Sequence, residues 1–244
     1  QLDDVITNRG TYLRQKEARL SELHGQLRAN KNERERFDIL NHLYDEYHPF
    51  NTDSAYNISI RQEAMARRLG DKSLLQNARM NRANIFGATG MYHECLRVMD
   101  SLRVDSLPEY LHAYYYHIKR TIYGRMADYA AFPADKSRYS HITNLYRDSI
   151  IRANQPGTLP HVITKADYLN VNGSPEEAIK LMEAFMRDNK LSEHEKAICA
   201  WTLSEAYGET GERELQKENL IISAISDLKS SVREYISLRQ LALL

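Results

Sequence analysis

The stretch Ala83-Asn-Ile-Phe-Gly-Ala-Thr-Gly-Met-Tyr-His-Glu-Cys-Leu96 sets out a small residue, a bulky one three positions on, a glycine four further, and then a second amphipathic run. The same order returns as Ala166-Asp-Tyr-Leu-Asn-Val-Asn-Gly-Ser-Pro-Glu-Glu-Ala-Ile179 and, more weakly, as Ser204-Glu-Ala-Tyr-Gly-Glu-Thr-Gly-Glu-Arg-Glu-Leu-Gln-Lys217. A small side chain lets a first helix approach its partner, and Phe86 or Leu169 fills the space one turn later. Glycine supplies the positive φ needed to leave a helix and turn at once. Cys95, Ala178 and Gln216 occupy the matching small position of the second helix, and Gln216 fits it poorly.

Such a recurring helix–glycine–helix unit is the signature of a tetratricopeptide-like hairpin. The last two repeat glycines, Gly173 and Gly211, stand about 38 residues apart, against about 34 in a standard repeat. The span from Gly90 to Gly173 leaves room for one further, unrecognised repeat. The expected fold is all-α: a right-handed superhelical array of these hairpins, about twelve helices in all, preceded by a long amphipathic N-terminal helix. We expect residues 1–244 to form one domain, with 1–31 as the N-terminal packing helix and 32–244 as the hairpins. The core of such an array grows along one axis, so length alone does not set the domain count.

Composition agrees. Only 6 Pro and 10 Gly in 244 residues suit a helical chain with short connections. Lys+Arg and Asp+Glu balance at 33 each, which argues against a nucleic-acid footprint. Cys95 and Cys199 are too few for a disulfide framework and fall on apolar helix faces, where buried small hydrophobes are expected. No stretch approaches a membrane span. The chain opens on Gln1 rather than Met. We expect something to have been removed upstream, either a cleaved export signal or by trimming.

The first helix is expected from Asp3 or Asp4, as cap, to about residue 30, with Ile6, Leu13, Leu20 and Leu27 forming a narrow apolar seam that packs on the first hairpin. Further helices are expected at about 34–47, 54–69 (capped by Asp53 and ended by Gly70), 73–89, 91–103, 108–131 and 133–154. The run Gln155-Pro-Gly-Thr-Leu-Pro160 is strong punctuation, read as a loop between repeats. Beyond it come about 159–172, 175–188, 192–210, 212–227 and 230–243. The last is expected to be the first helix of a hairpin whose partner is missing, leaving Tyr235, Ile236, Leu238, Leu241, Leu243 and Leu244 uncovered and the array cut inside a repeat.

Catalytic chemistry finds no foothold. His93-Glu94 and His194-Glu195 lack a second histidine four residues after the first, and no phosphate loop or nucleophile elbow appears. No catalytic residue, metal ligand or cofactor is assigned. Two groups are candidates for binding. Tyr114, Tyr115, His117 and Arg120 crowd one helix, where tyrosine offers a flat apolar face and a hydroxyl. Asn81, Asn84, Asp167, Asn170, Trp201 and Glu205 are expected on the concave face of the first helices, in a groove suited to a peptide or glycan. A merely solvated face would account for the same residues.

Leu2-Asp-Asp-Val-Ile6, Tyr12-Leu-Arg-Gln-Lys-Glu-Ala-Arg-Leu-Ser-Glu-Leu23, Tyr47-His-Pro-Phe-Asn-Thr-Asp-Ser-Ala-Tyr56 and Gly90-Met-Tyr-His-Glu-Cys-Leu96 resemble the N-terminal half of tetratricopeptide-containing regulators of Bacteroidetes. The resemblance implies an export signal, a periplasmic helical-repeat sensor, one membrane span and a cytoplasmic coiled coil with a DNA-binding helix-turn-helix, of which only the sensor would be this segment. It implies a non-catalytic module on the periplasmic side of the inner membrane, passing a ligand or partner signal across it and touching the membrane only through the downstream span, while the groove residues suggest a protein, peptide or glycan as that ligand. It carries over no binding residue. Two alternatives stand beside it: a cytoplasmic location, and a purely structural scaffold that self-associates as a homodimer through the N-terminal helix or the C-terminal end.

Overall fold

Three equivalent turns close in one way. The backbone N–H of Met91 donates to Phe86 O at 2.8 Å, that of Ser174 to Leu169 O at 2.9 Å, and that of Glu212 to Tyr207 O at 3.0 Å. Gly90, Gly173 and Gly211 sit between donor and acceptor at φ of 83°, 82° and 81°. This is the left-handed stop that satisfies carbonyls orphaned at a helix end, and it reverses the chain within two residues.

The computed structural model describes residues 1–233 and 235–244. Among these are thirteen α-helices and two short 3-10 turns. The fold is all-α and of tetratricopeptide type. The helices fall into two compact units, Leu20–Ala153 and a second formed by Gln1–Arg19 with Asn154–Leu244.

The Leu20–Ala153 unit holds Glu33–Tyr47 (α3), Thr52–Leu69 (α4), Lys72–Ala88 (α5), Tyr92–Asp100 (α6), His112–Asp128 (α7) and Pro133–Ala153 (α8). Successive helices pack in antiparallel pairs. Leu20, Leu23 and Leu27, on the latter part of Arg9–Ala29 (α2), share one helix face and join the core of Phe37, Leu40, Leu43, Ile58, Met65 and Leu74. A second core gathers Met80, Ala83, Cys95, Met99, Ile118 and Ile122. At Gly87 the Ile122 side chain of α7 lies so close to the α5 backbone that an added Cβ would lie 2.2 Å from Ile122 Cδ1.

The other unit holds Leu2–Thr7 (α1), Leu159–Val171 (α9), Pro175–Asp188 (α10), Glu193–Thr210 (α11), Arg213–Lys229 (α12) and Ile236–Leu241 (α13). Val162, Ala166, Ala178, Met182, Cys199, Leu203 and Ala206 form its core. The long Gln216 side chain is accommodated because its partner on α11 is Gly208, whose missing Cβ would lie 2.6 Å from Gln216 Nε2. The volume lost on one helix is regained on the other.

Several boundaries differ from expectation. The N-terminal helix is two, because Asn8 ends α1: its backbone N–H and its side-chain Nδ2 both donate to Asp4 O. Asp3 and Asp4 lie inside the first turn and Gln1 is the cap residue. Val5 is buried there while Ile6 is exposed. Asn51, not Asp53, caps α4, accepting from Ser54 N at 2.9 Å. The helix expected from Pro108 begins as a 3-10 turn over Glu109–Leu111. The helix expected over 230–243 shrinks to α13, since α12 runs to Lys229 and Ser231 turns away at φ 55°. That expectation also covers Glu234, which lies outside the described residues. Tyr235, Ile236, Leu243 and Leu244 are exposed, whereas Leu238 and Leu241 are half-buried.

The glycines give a graded test by chemical or thermal denaturation. Gly25→Ala, in an α2 position with open space around it, should stabilise by about 0.5–1 kcal/mol. Gly208→Ala displaces only the flexible end of Gln216 and should be nearly neutral. Gly87→Ala must push the buried Ile122 and should cost about 1–3 kcal/mol. A stabilised Gly87→Ala would contradict the close α5–α7 approach.

Candidate functional site

The richest polar arrangement lies in the Leu20–Ala153 unit, where α3, α4, α5 and α7 each contribute to one network. Asn77, Asn81 and Asn84 follow one face of α5 at helical spacing. The buried Tyr44 hydroxyl donates to Asn81 O at 2.9 Å and accepts from Asn84 Nδ2 at 3.4 Å. Asn84 Nδ2 also donates to His48 Nε2 at 3.0 Å, which requires that ring nitrogen to be unprotonated. Tyr114 OH donates to Asn81 Oδ1 at 3.1 Å. Asn81 Nδ2 in turn donates to Gln62 Oε1 at 3.0 Å and Asn77 Oδ1 at 3.2 Å, and the fully buried Gln62 donates to Asn41 Oδ1 at 2.6 Å.

The peptide oxygen of Asn81 takes the Tyr44 proton, so Asn84 must meet Tyr44 and His48 through its nitrogen. The network uses the oxygens of Asn41 and Asn77 and the nitrogen of Asn84. The opposite end of each of these amides makes no hydrogen bond among the described residues.

Two titratable groups near the network are shifted. His117 and Asp45 are both open to solvent, yet protein on several sides desolvates them. Desolvation first, and then the positive charge of Arg120, push the His117 pKa down to about 4. Desolvation also raises Asp45, with His42 opposing. Burial holds the Tyr44 and Tyr114 phenols well above their ordinary range, so both are neutral donors at any physiological pH.

The candidate residues fall into two sets. Asn81, Asn84 and Tyr114 meet within the network, with His117 and Arg120 further along α7. Tyr115 faces away and is buried in the core with Ile118 and Ile122. Arg120 is half-buried and engaged within the fold. In the other unit, Asp167 and Asn170 lie on α9, and Trp201 and Glu205 on α11. Trp201 is half-buried and Glu205 exposed, and Asp167 and Glu205 are both engaged. The Asn170 side-chain oxygen is buried with no hydrogen-bond partner among the described residues. Sequence reasoning missed Asn41, Tyr44, His48, Gln62 and Asn77 as members of the network. The spacing of Tyr44 and His48, and of Asn77 and Asn81, by four residues was the available signal.

Burial pushes the Cys95 thiol up to about 12 and the Cys199 thiol to about 11, so both stay protonated and inert at neutral pH. Among the described residues no group of three His, Cys, Asp or Glu side chains is placed to hold a metal ion. No described helix is long and apolar enough to cross a membrane.

Stacked helical hairpins carrying a wall of oriented amides and phenols define a binding module of the tetratricopeptide-repeat class. More particularly, the chain belongs to the SusR N-terminal TPR domain family, whose sequence profile matches residues 6–244. This is the family resemblance carried by the sequence. No curated protein sequence matches the chain.

The His117 shift has a pH signature. The unfolded chain takes a proton on His117 near 6.5 and the folded chain near about 4, so stability should fall as pH drops through that window. A proton NMR titration should give His117 a midpoint near 4, and His117→Gln should flatten the matching part of the stability–pH curve. A midpoint at or above the ordinary histidine value would refute the desolvation of His117.

Proposed function

We propose that this chain is the extracytoplasmic sensing part of a membrane-anchored transcriptional regulator, on the periplasmic side of the inner membrane. In this reading the α3–α5–α7 network takes an uncharged stretch of a peptide, protein or glycan. The observation that carries it is the Asn84 amide, whose nitrogen is held by Tyr44 and His48 so that its oxygen is left over before any ligand arrives. A ligand that donates to that oxygen then binds without first ordering the amide, which removes part of the usual entropic cost. Membership of the SusR N-terminal TPR domain family supports the sensing role. Asn170, Trp201 and Glu205 belong to a second candidate surface on the other unit.

Calorimetry against panels of oligosaccharides and peptides tests this reading. At least one should bind, and Asn84→Ala should weaken it by about 1–3 kcal/mol through the lost amide and the loosened His48 and Tyr44. Binding unchanged in that variant would remove the network from the reading. Silence across both panels would favour the alternative, a scaffold that self-associates through the exposed Tyr235, Ile236, Leu243 and Leu244. Light scattering would then show a concentration-dependent mass.

A further inference from the structure

A separate cleft of about 310 Å³ opens between the start of α7 and the end of α8, lined by Glu109, His112, Tyr116, Ser149, Arg152 and Ala153. Its volume is at the small end of ligand sites. Its chemistry is unusual in that it holds opposite charges that do not neutralise each other. Glu109 is exposed and has no ion-pair or hydrogen-bond partner among the described residues. Among the described residues Arg152 pairs only with Asp148, one turn back on the same helix, at 3.8 Å, the outer limit of an ion pair. Glu109 and Arg152 line one cleft without bridging it.

The floor between them is ordered. The Tyr116 ring meets His112 edge-on at 6.3 Å, Tyr115 edge-on at 5.8 Å and Tyr146 at 6.3 Å. Its hydroxyl has no partner among the described residues. His112 Nε2 lies 3.1 Å from Leu107 O. A carbonyl only accepts, so that nitrogen carries the proton, and in the neutral ring Nδ1 is left as an acceptor. Ser149 Oγ donates to Leu145 O at 3.0 Å and keeps its lone pairs.

The geometry points to a second binding site, in the α7–α8 cleft, for a small zwitterion of the α-amino-acid class. The ammonium would lie on Glu109, shared with His112 Nδ1 or Ser149 Oγ. The carboxylate would take the Arg152 guanidinium from its loose contact with Asp148, and the side chain would lie on the Tyr116 ring. An anion alone would leave Glu109 unanswered, a cation alone would leave Arg152 so, and a neutral sugar would leave both. A ligand carrying both charges engages both side chains at once. The site is distinct from the α3–α5–α7 network, so either reading can fail without the other.

The test is calorimetry of the whole chain with free α-amino acids, their N-acetyl and carboxamide derivatives, and neutral monosaccharides. At least one free amino acid should bind. Blocking either end, or introducing Glu109→Gln or Arg152→Gln, should weaken it by about tenfold or more. Both side chains are exposed, so the variants should melt as the parent does, and circular dichroism checks this. The proposal is overturned if no free amino acid binds at millimolar concentration, if blocked forms bind as well as free ones, if a sugar binds in their place, or if both variants bind like the parent.

Discussion

The three repeat hairpins of this structure depend on a chain reversal that only glycine makes without strain. A helix ends with carbonyls that need donors, and the next helix must begin at once to lie against the first. The hydrogen bonds from Met91, Ser174 and Glu212 back to Phe86, Leu169 and Tyr207 meet both needs, and they close only with a residue at positive φ between them. With the reversal fixed, the small residues at Ala83, Ala166 and Ser204 let the two helices touch, and the bulky residue a turn later fills the angle between them. Packing then follows hairpin by hairpin.

A scaffold of this kind spends its small and apolar residues on stacking and leaves one face undetermined. In the Leu20–Ala153 unit that face is occupied by amides, and their arrangement is constrained. The peptide oxygen of Asn81 can only accept, so the Tyr44 proton goes to it, and Asn84 must then donate to Tyr44 through its nitrogen. The hydrogen bonds therefore tie α3, α4, α5 and α7 together and set the pattern shown to solvent at the same time. Structural and recognition roles are carried by the same side chains, so substitutions on this wall should seldom affect only one of them.

The fold was legible in the sequence because its rules are local. Ala83, Phe86, Gly90 and Cys95 lie within a few turns of one another, and their spacing alone gives the hairpin. What was not legible depended on partners distant in sequence. Gln216 looks like a defect until Gly208 is seen opposite it. Asn51 and Asp53 are both good cap residues, and backbone geometry rather than residue type chose Asn51. Asn81 and Asn84 were readable as a polar face, but their partners Tyr44, His48 and Gln62 lie one hairpin earlier. The α7–α8 cleft joins Glu109 to Arg152 across two whole helices, and no window along the chain contains both. Tyr115 shows the reverse case, since a run of tyrosines says nothing about which of them faces the core.

One consequence lies in where the chromophores fall. The single tryptophan, Trp201, is on α11 in the unit formed by the two chain ends. The tyrosine pairs Tyr115–Tyr116, Tyr116–Tyr146 and Tyr123–Tyr146 all lie in the Leu20–Ala153 unit. Nature has thus given each unit its own optical label. Indole emission follows one, and the near-ultraviolet dichroism of coupled phenols is weighted toward the other. Superposed traces on heating would mean that the two units melt as one cooperative body, and separated traces that each is a folding unit in its own right.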